Sequence, residues 1–428
     1  MKILMVNNHY FNYRGADRYF FNIKNGLEKV GHTVVPFSFR YDATEETPYQ
    51  NYFPEPITGP GPFLLKDMKL SVPAKIRTAV KMFFNPEVEG KFRQALRETK
   101  PDLVYTIYLS FTFLPRLLKI AKREFGLPVL YRLSDYHMFC ASYLFFRDNQ
   151  SCTDCLTRPW SAVKYKCVHD SRFGSLLRAL QIRVNRSRKD YENVDYFICP
   201  SKYMSEILVQ HGPFPESKVK HLPTFTGDLY REGAASPRGK PYVLYFGAIV
   251  PAKGMDVLLK AFNRIPAPAF GLKLVGDVEE GYRQRLSALL DEAHRPLIFM
   301  DGELKGEALW ETLRGATCVV HPVLWFENMP NSILEAMSAG KPVIASGIGS
   351  MTELVEDGVN GRLVPPGDEA ALAQALEKTA DPAWVAAMSR GARDRYLRCH
   401  TPEKHLAVLT GLMQGLTPGR PAVLSGKG

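Results

Sequence analysis

Short apolar runs closed by polar turns recur along the chain, alternating with longer stretches whose apolar residues keep a helical period. In the first half the runs are KILMVNN (Lys2 to Asn8), HTVVPF (His32 to Phe37), DLVYTI (Asp102 to Ile107), VLYRLS (Val129 to Ser134) and YFICPS (Tyr196 to Ser201). In the second they are YVLYFGAIV (Tyr242 to Val250), LKLVGD (Leu272 to Asp277), PLIFMDG (Pro296 to Gly302), TCVVHP (Thr317 to Pro322) and a run opening at Val343. Helical segments stand between them: one after the Arg14-Gly15-Ala16-Asp17 loop, one carrying Phe92 and Leu96, and one from Asp256 to Asn263. Runs that are apolar throughout suit strands buried on both faces, and strands alternating with helices pair in parallel through crossovers. The pattern predicts two α/β halves. TFTGDLYREGAASPRGKP (Thr224 to Pro241) breaks it with polar, Gly- and Pro-rich sequence, so a linker is expected at 226–240 between domains 1–225 and 241–398. Residues 42–75, without periodicity, read as a loop excursion, and 416–428 as a disordered tail.

The densest chemistry lies in residues 325–346, WFENMPNSILEAMSAGKPVIAS. Two carboxylates, Glu327 and Glu335, flank a strand-to-helix turn, with Asn331 or Ser332 placed to cap a helix that Gly340 ends before Pro342. The first turn of such a helix presents unpaired N–H groups and a positive dipole end, which attract a diphosphate. The flanking acids can accept hydrogen bonds from the sugar hydroxyls at either end of it. The same spacing, Ser332 to Glu335, also fits an ordinary capping box. Lys253-Gly254 follows a Gly-closed run, where a lysine can reach a diphosphate as a point charge or simply sit on a surface turn.

Glu327, seven residues, Glu335 and the trailing AMSAGKPVIAS resemble the signature of retaining glycosyltransferases of the GT-B fold, most closely family 4. That resemblance implies two Rossmann-like domains facing a cleft, with a helix near 399–415 crossing back onto the first domain. It implies transfer of a sugar from a nucleoside diphosphate to a hydroxyl acceptor (a glycan, a lipid-linked saccharide or a natural product) with no cofactor. Carried residue by residue, it makes Glu327 and Lys253 catalytic candidates, and Asp135 a third on the first-domain side. Glu335 would hold the ribose, and Asn328, Met329, Pro330 and Asn331 would face phosphate or sugar. Arg14, Gly15 and Ala16 match the loop after the first strand that approaches the diphosphate. Gly247 and Gly276 close strands at the same rim, and His137 is a candidate for the sugar. Two positions depart from the pattern: Ala248 stands where relatives carry Arg, and Ser134 where they carry His.

Composition narrows the partners. With 428 residues, 45% of them hydrophobic, the chain can bury a large core, and no apolar run approaches the ~20 residues that cross a bilayer. The N-terminal apolar stretch is short for a signal peptide, so a cytoplasmic location is expected. The formal charge of +11 points to anionic partners, and the absence of zinc-finger, KH or RNP patterns leaves nucleotides and phospholipids rather than nucleic acid. Arg172, Arg178, Arg183, Arg186, Arg188 and Lys189 interleave with Leu176, Leu177 and Leu180, which suits either a solvated helix face or docking on the inner face of an anionic membrane. Cys140, Cys152, Cys155 and Cys167 cluster in sequence and leave three readings open: structural zinc, free buried thiols or a redox pair. No GxSxG, P-loop, GxGxxG or Asp-x-Asp stands in the chain, against a protein nucleophile, a dinucleotide oxidoreductase and a metal-held donor. Two other functions share this architecture: a non-catalytic nucleotide-sugar scaffold, and a two-domain sugar-nucleotide epimerase.

Overall fold

The computed structural model describes residues 1–13, 15–57, 59, 72–109, 113–232 and 240–418. They divide into two compact units: Met1–Leu144, Thr153–Leu222 and Leu406–Gly428 form the first, Phe145–Cys152 and Pro223–His405 the second. In chain order the strands are β1 (Lys2–Val6), β2 (Thr33–Phe37), β3 (Leu103–Thr106), β4 (Val129–Arg132), β5 (Phe146–Arg147), β6 (Gln150–Ser151), β7 (Tyr196–Cys199) and β8 (Val219–His221). There follow β9 (Tyr242–Phe246), β10 (Gly271–Val275), β11 (Ile298–Gly302), β12 (Cys318–His321), β13 (Val343–Ser346) and β14 (Gly361–Val364).

The first unit holds a six-stranded sheet of order β2-β1-β3-β4-β7-β8, and the second a six-stranded sheet of order β11-β10-β9-β12-β13-β14. Every pairing in both is parallel. Among the described residues only β5 and β6 pair antiparallel, as a small hairpin. The predicted α/β class with two wound parallel sheets is what forms. Central strands are apolar throughout because helices cover both faces: Ile3, Leu4 and Met5, like Val243, Leu244 and Tyr245, are fully buried. The helix Gly15–Lys29 buries Tyr19, Phe20, Ile23 and Leu27, a spacing that keeps them on one face. Pro86–Thr99 opens with Asn85 accepting the Val88 N–H at 3.3 Å and closes on Lys100 in the left-handed region at φ 47°.

Strand order reverses once in each sheet, between β1 and β3 in the first and between β9 and β12 in the second. Open α/β sheets take ligands at the carboxyl ends of the strands at such a point.

Several expectations need amendment. β8 and β14 were absent from the apolar pattern, and both are edge strands. The 42–75 excursion contains the turn Gln50–Tyr52 and, at its end, the start of the helix Val72–Lys81. Residues 58 and 60–71 of that excursion, 233–239 of the linker and 419–428 of the tail lie outside the described residues. The last helix, Pro402–Leu416, belongs to the second unit through His405 and to the first from Leu406, which packs on Gly26.

Candidate active site

In the second unit the loops after β9 and β12 are locked together by close backbone approach. A Cβ at Gly254, whose φ is 75°, would lie 1.8 Å from the Pro322 carbonyl oxygen, so only glycine fits. The Leu324 N–H donates to the Ala252 carbonyl at 3.0 Å. Between these ties the turn Pro251–Lys253 delivers Lys253 to Glu327, and the ammonium donates directly to one carboxylate oxygen. The other oxygen lies 3.2 Å from Nε2 of His321, the last residue of β12. The Trp325 ring stands 5.5 Å from the lysine nitrogen, and its indole N–H is buried without a hydrogen-bond partner among the described residues. Two of the candidate residues, read from loops 74 positions apart, are therefore in contact.

The backbone around Glu327 is fixed as well. Its carbonyl accepts the Ser350 hydroxyl at 2.8 Å, from the loop after β13. The Gly247 N–H donates to Val275 at 2.9 Å and the Gly276 N–H to Gly302 at 2.7 Å. A Cβ on Gly276 would meet the Gly247 oxygen at 1.8 Å. Both predicted glycines thus serve close approach between the ends of β9 and β10.

The helix begins at Asn331 and runs to Ser338, with Pro330 at the cap position and no side-chain cap. This corrects the expectation that Asn331 or Ser332 caps it: proline's fixed φ sets the entry and both polar residues lie inside the first turn. Pro330 itself offers no side-chain acceptor to the first-turn N–H groups. Ser332 instead places its hydroxyl 3.5 Å from Nδ1 of His321. Glu335 is buried on the next turn, Met329 packs against the apolar core, and Asn328 is half-buried.

Burial pushes the Lys253 ammonium down to about 7, although about a fifth of the side chain, 19%, stays exposed. The contacting carboxylate opposes that fall by favouring the charged form. Burial, then the charge of Lys253, holds His321 well below the ordinary histidine value. A neutral ring has one N–H; donated from Nε2 to Glu327, it leaves Nδ1 to accept from Ser332.

In the first unit the candidates gather at the ends of β1 and β4. Gly15 and Ala16 open the helix after β1, and Asp17 anchors that turn by accepting from the Asn7 amide at 2.8 Å and contacting the His9 ring at 3.3 Å. Arg14 lies outside the described residues. Ser134 accepts from the Arg132 guanidinium at 2.8 Å and donates to the Ile107 carbonyl at 2.7 Å, so it ties β3 to β4. Asp135 accepts from the backbone N–H of His137 at 2.9 Å and contacts its ring, while the far ring nitrogen lies 2.8 Å from the Tyr131 hydroxyl. Burial alone would raise the Asp135 carboxyl, but the His137 ring and N–H hold it below the usual range.

Trp325's indole, Ser350 and the Asn7–His9–Asp17 cluster were not assigned roles from the sequence, and they carry no spacing signal. All seven cysteines are free, the Cys155 thiol is hydrogen-bonded to Cys140, and no group of three or more His, Cys, Asp or Glu side chains forms a metal site among the described residues.

The comparisons with known proteins cover both units. Residues 240–381 match the glycosyl transferases group 1 and residues 13–226 match Glycosyltransferase Family 4. A phosphatidyl-myo-inositol mannosyltransferase of Mycobacterium leprae is 34% identical over 148 residues, 33% of this chain and 38% of that protein. A D-inositol 3-phosphate glycosyltransferase of Acidothermus cellulolyticus is 31% identical over 169 residues, 37% of either. The match thus spans well under half the length of these relatives. Among solved structures, the sucrose-phosphate synthase of Thermosynechococcus elongatus superposes with a TM-score of 0.72 at 21% identity, over 97% of this chain and 98% of that one. HepE of Anabaena, solved with UDP, gives 0.68 at 17% identity over 97% and 100%. The fold is the one these solved structures share, and with its first half matching Glycosyltransferase Family 4 and its second the glycosyl transferases group 1, the chain belongs to glycosyltransferase family 4.

Proposed function

We propose that the chain transfers a glycosyl group from a nucleoside-diphosphate sugar to a hydroxyl acceptor, with retention at the anomeric carbon and without a metal ion. The observation that carries this is the Lys253–Glu327 contact at the β9/β12 reversal, beside the side-chain-uncapped helix tip at Asn331. A diphosphate there takes the lysine charge and the first-turn N–H groups, which frees Glu327 to bond the transferred sugar. Glu335 holds the ribose hydroxyls. The acceptor oxygen bonds to the anomeric carbon on the face from which the diphosphate leaves. The anomeric carbon–oxygen bond to phosphate breaks, and the acceptor proton passes to the departing phosphate oxygen. No side-chain base is required; a fixed cation and fixed dipoles stabilise the leaving charge. The Anabaena HepE structures hold UDP and UDP-glucose, and the M. leprae relative is named for a phosphoinositide, which favours a diphosphate donor and an acceptor bearing phosphate.

The same reading takes the protein to the surface of an anionic membrane. No helix among the described residues is long and apolar enough to cross one. Helix Arg172–Ser187 leaves Phe173, Leu176 and Leu180 exposed beside Arg172 and Arg183. It is tied to the end of the Val72–Lys81 helix, where Ile76, Val80 and Phe84 are exposed, by bonds from Gln181 and Arg188 to the Met82 and Phe83 carbonyls at 2.7 and 2.8 Å. Apolar side chains with a basic rim suit the headgroup boundary.

The test is a thermal-shift and turnover screen of UDP, GDP, ADP and TDP sugars. At least one should stabilise the protein and release its nucleoside diphosphate slowly without acceptor. Glu335→Gln should abolish the stabilisation; a shift that survives removes the ribose assignment. Binding without release on any acceptor would leave a nucleotide-sugar scaffold, and an epimerised donor would mean the epimerase.

A further inference from the structure

Lys253 holds one oxygen of the Glu327 carboxylate, and the proposed reaction draws that lysine toward the diphosphate. The ammonium donates to Oε1, whereas Oε2 lies 3.2 Å from Nε2 of His321. Glu327 is 5% exposed, so a carboxylate that lost its cation and had no other donor would be costly there. His321 ends β12, whose other residues, Cys318, Val319 and Val320, are apolar and buried. A polar ring at the end of such a strand, itself 2% exposed, costs free energy that only its own bonds offset.

The ring is held from several sides. The Tyr245 ring of the neighbouring strand β9 lies 6.4 Å away at an interplanar angle of 15°, and its hydroxyl is anchored by donating to the Ala248 carbonyl at 2.7 Å. On the other flank His321 is in register with Ala345 of β13. The Ser332 hydroxyl stands 3.5 Å from Nδ1. An ionised carboxylate only accepts, so the hydrogen between Nε2 and Oε2 belongs to the ring, and Nδ1 of the neutral ring is an acceptor toward Ser332. Burial and then the Lys253 charge disfavour the imidazolium, which keeps the ring in that neutral form.

We propose that His321 is the positioning residue of Glu327: its Nε2–H keeps Oε2 in place when Lys253 turns to the diphosphate, so that Oε1 is left to accept from the transferred sugar. The use of this bond in catalysis rests on the transferase reading above; the bond and its tautomer do not. The carboxylate is thereby divided, one oxygen for a fixed donor and one for a donor that changes between the nucleotide-free and loaded protein. His321 touches no reacting atom in this scheme and acts only through Glu327.

The test compares His321→Gln, His321→Asn and His321→Leu in the full chain. Glutamine carries its amide nitrogen where Nε2 stands and can still donate to Glu327. Asparagine carries its own where Nδ1 stands and cannot. With a donor that wild type uses, kcat/KM should stay within about threefold for His321→Gln and fall about 10- to 100-fold for the other two, the loss of one charge-assisted hydrogen bond. UDP carries no sugar for Glu327 to bond, so its affinity should hold within about twofold in all three. If His321→Leu misfolds, the two amides decide. In protein that binds a donor without turnover, the same split should appear in the affinity for the sugar nucleotide relative to UDP. Nitrogen NMR of isotope-labelled histidine in nucleotide-free protein should show His321 as the neutral Nε2–H tautomer between about pH 6 and 8, with the signal identified by its loss in His321→Gln. Equal losses for the two amides, a loss matched by UDP affinity, or an Nδ1–H ring overturns the proposal. An Nε2–H ring in a chain that neither binds nor turns over a sugar nucleotide refutes the transferase alone. Turnover with the two amides alike refutes only the role of His321.

Discussion

The two sheets reverse strand order in the same way but fill their reversal points differently. At β9/β12 the backbones close on each other, Gly254 against Pro322 and Ala252 against Leu324, and a charge pair joins the loops, Lys253 on the Glu327 carboxylate, while the Ser350 hydroxyl holds the Glu327 carbonyl. At β1/β3 and β4 side chains make the ties, Asn7 with Asp17, Ser134 with Arg132 and His137 with Tyr131. On the proposed function, the first arrangement would meet a ligand that brings the opposite charge. In the second, the Ser134 departure is absorbed as a structural bond between β3 and β4.

The contrast predicts very different costs for one substitution on each side. Lys253→Ala removes the cation facing the leaving diphosphate, and the transfer rate should fall by about 10^2–10^3-fold. Asp135→Asn only weakens the hold on His137, at a cost near 1.4 kcal/mol, or about tenfold. Steady-state kinetics of both variants with one donor and acceptor check this. Equal losses would mean that Asp135 touches the reacting atoms and that the two sides share the chemistry.

The backbone ties can be broken without touching a charge. Gly254→Ala must hold φ 75° and place a methyl 1.8 Å from a carbonyl oxygen. The loops should separate, lowering stability by about 3 kcal/mol. Denaturant unfolding measures it. The variant should also lose donor binding, since Lys253 is the neighbouring residue. Unchanged stability would show that the loop at Pro322 yields, and with it the argument that these loops are rigid.

The ease of reading the chain follows the same division. Central strands such as Tyr242–Phe246 are buried on both faces, so an unbroken apolar run betrays them. The edge strands Val219–His221 and Gly361–Val364 are half exposed and carry Lys220, His221 and Arg362, so no such run exists to find. Glu327 and Lys253 were legible as candidates, but their contact was not, because it depends on β9 and β12 being neighbours across a reversal rather than on spacing. The Pro330 cap escaped for a local reason: proline satisfies the entry geometry without the polar side chain a helix start usually advertises. The Cys-rich stretch after β4 was least legible. Lys166, His169 and Asp170 adopt φ near 50° with no glycine to mark the turns.

The smallest expected effect, about one proton, separates the two forces acting on Lys253. If burial sets its value near 7, only about a tenth of the ammonium survives at pH 8 in the nucleotide-free protein. Diphosphate binding restores the charge, so UDP should take up about one proton near pH 8 and almost none at pH 6, where the lysine is already protonated. The folded value lies below the unfolded 10.5, so the unfolded chain binds the extra proton between about 7 and 10.5. Nucleotide-free protein should accordingly gain stability as pH rises through that window, and Lys253→Met should flatten the gain. Calorimetry of UDP binding in two buffers of different ionisation enthalpy gives the proton count directly. Uptake appearing only toward pH 10 would mean that the Glu327 carboxylate outweighs burial and keeps Lys253 charged before any donor arrives.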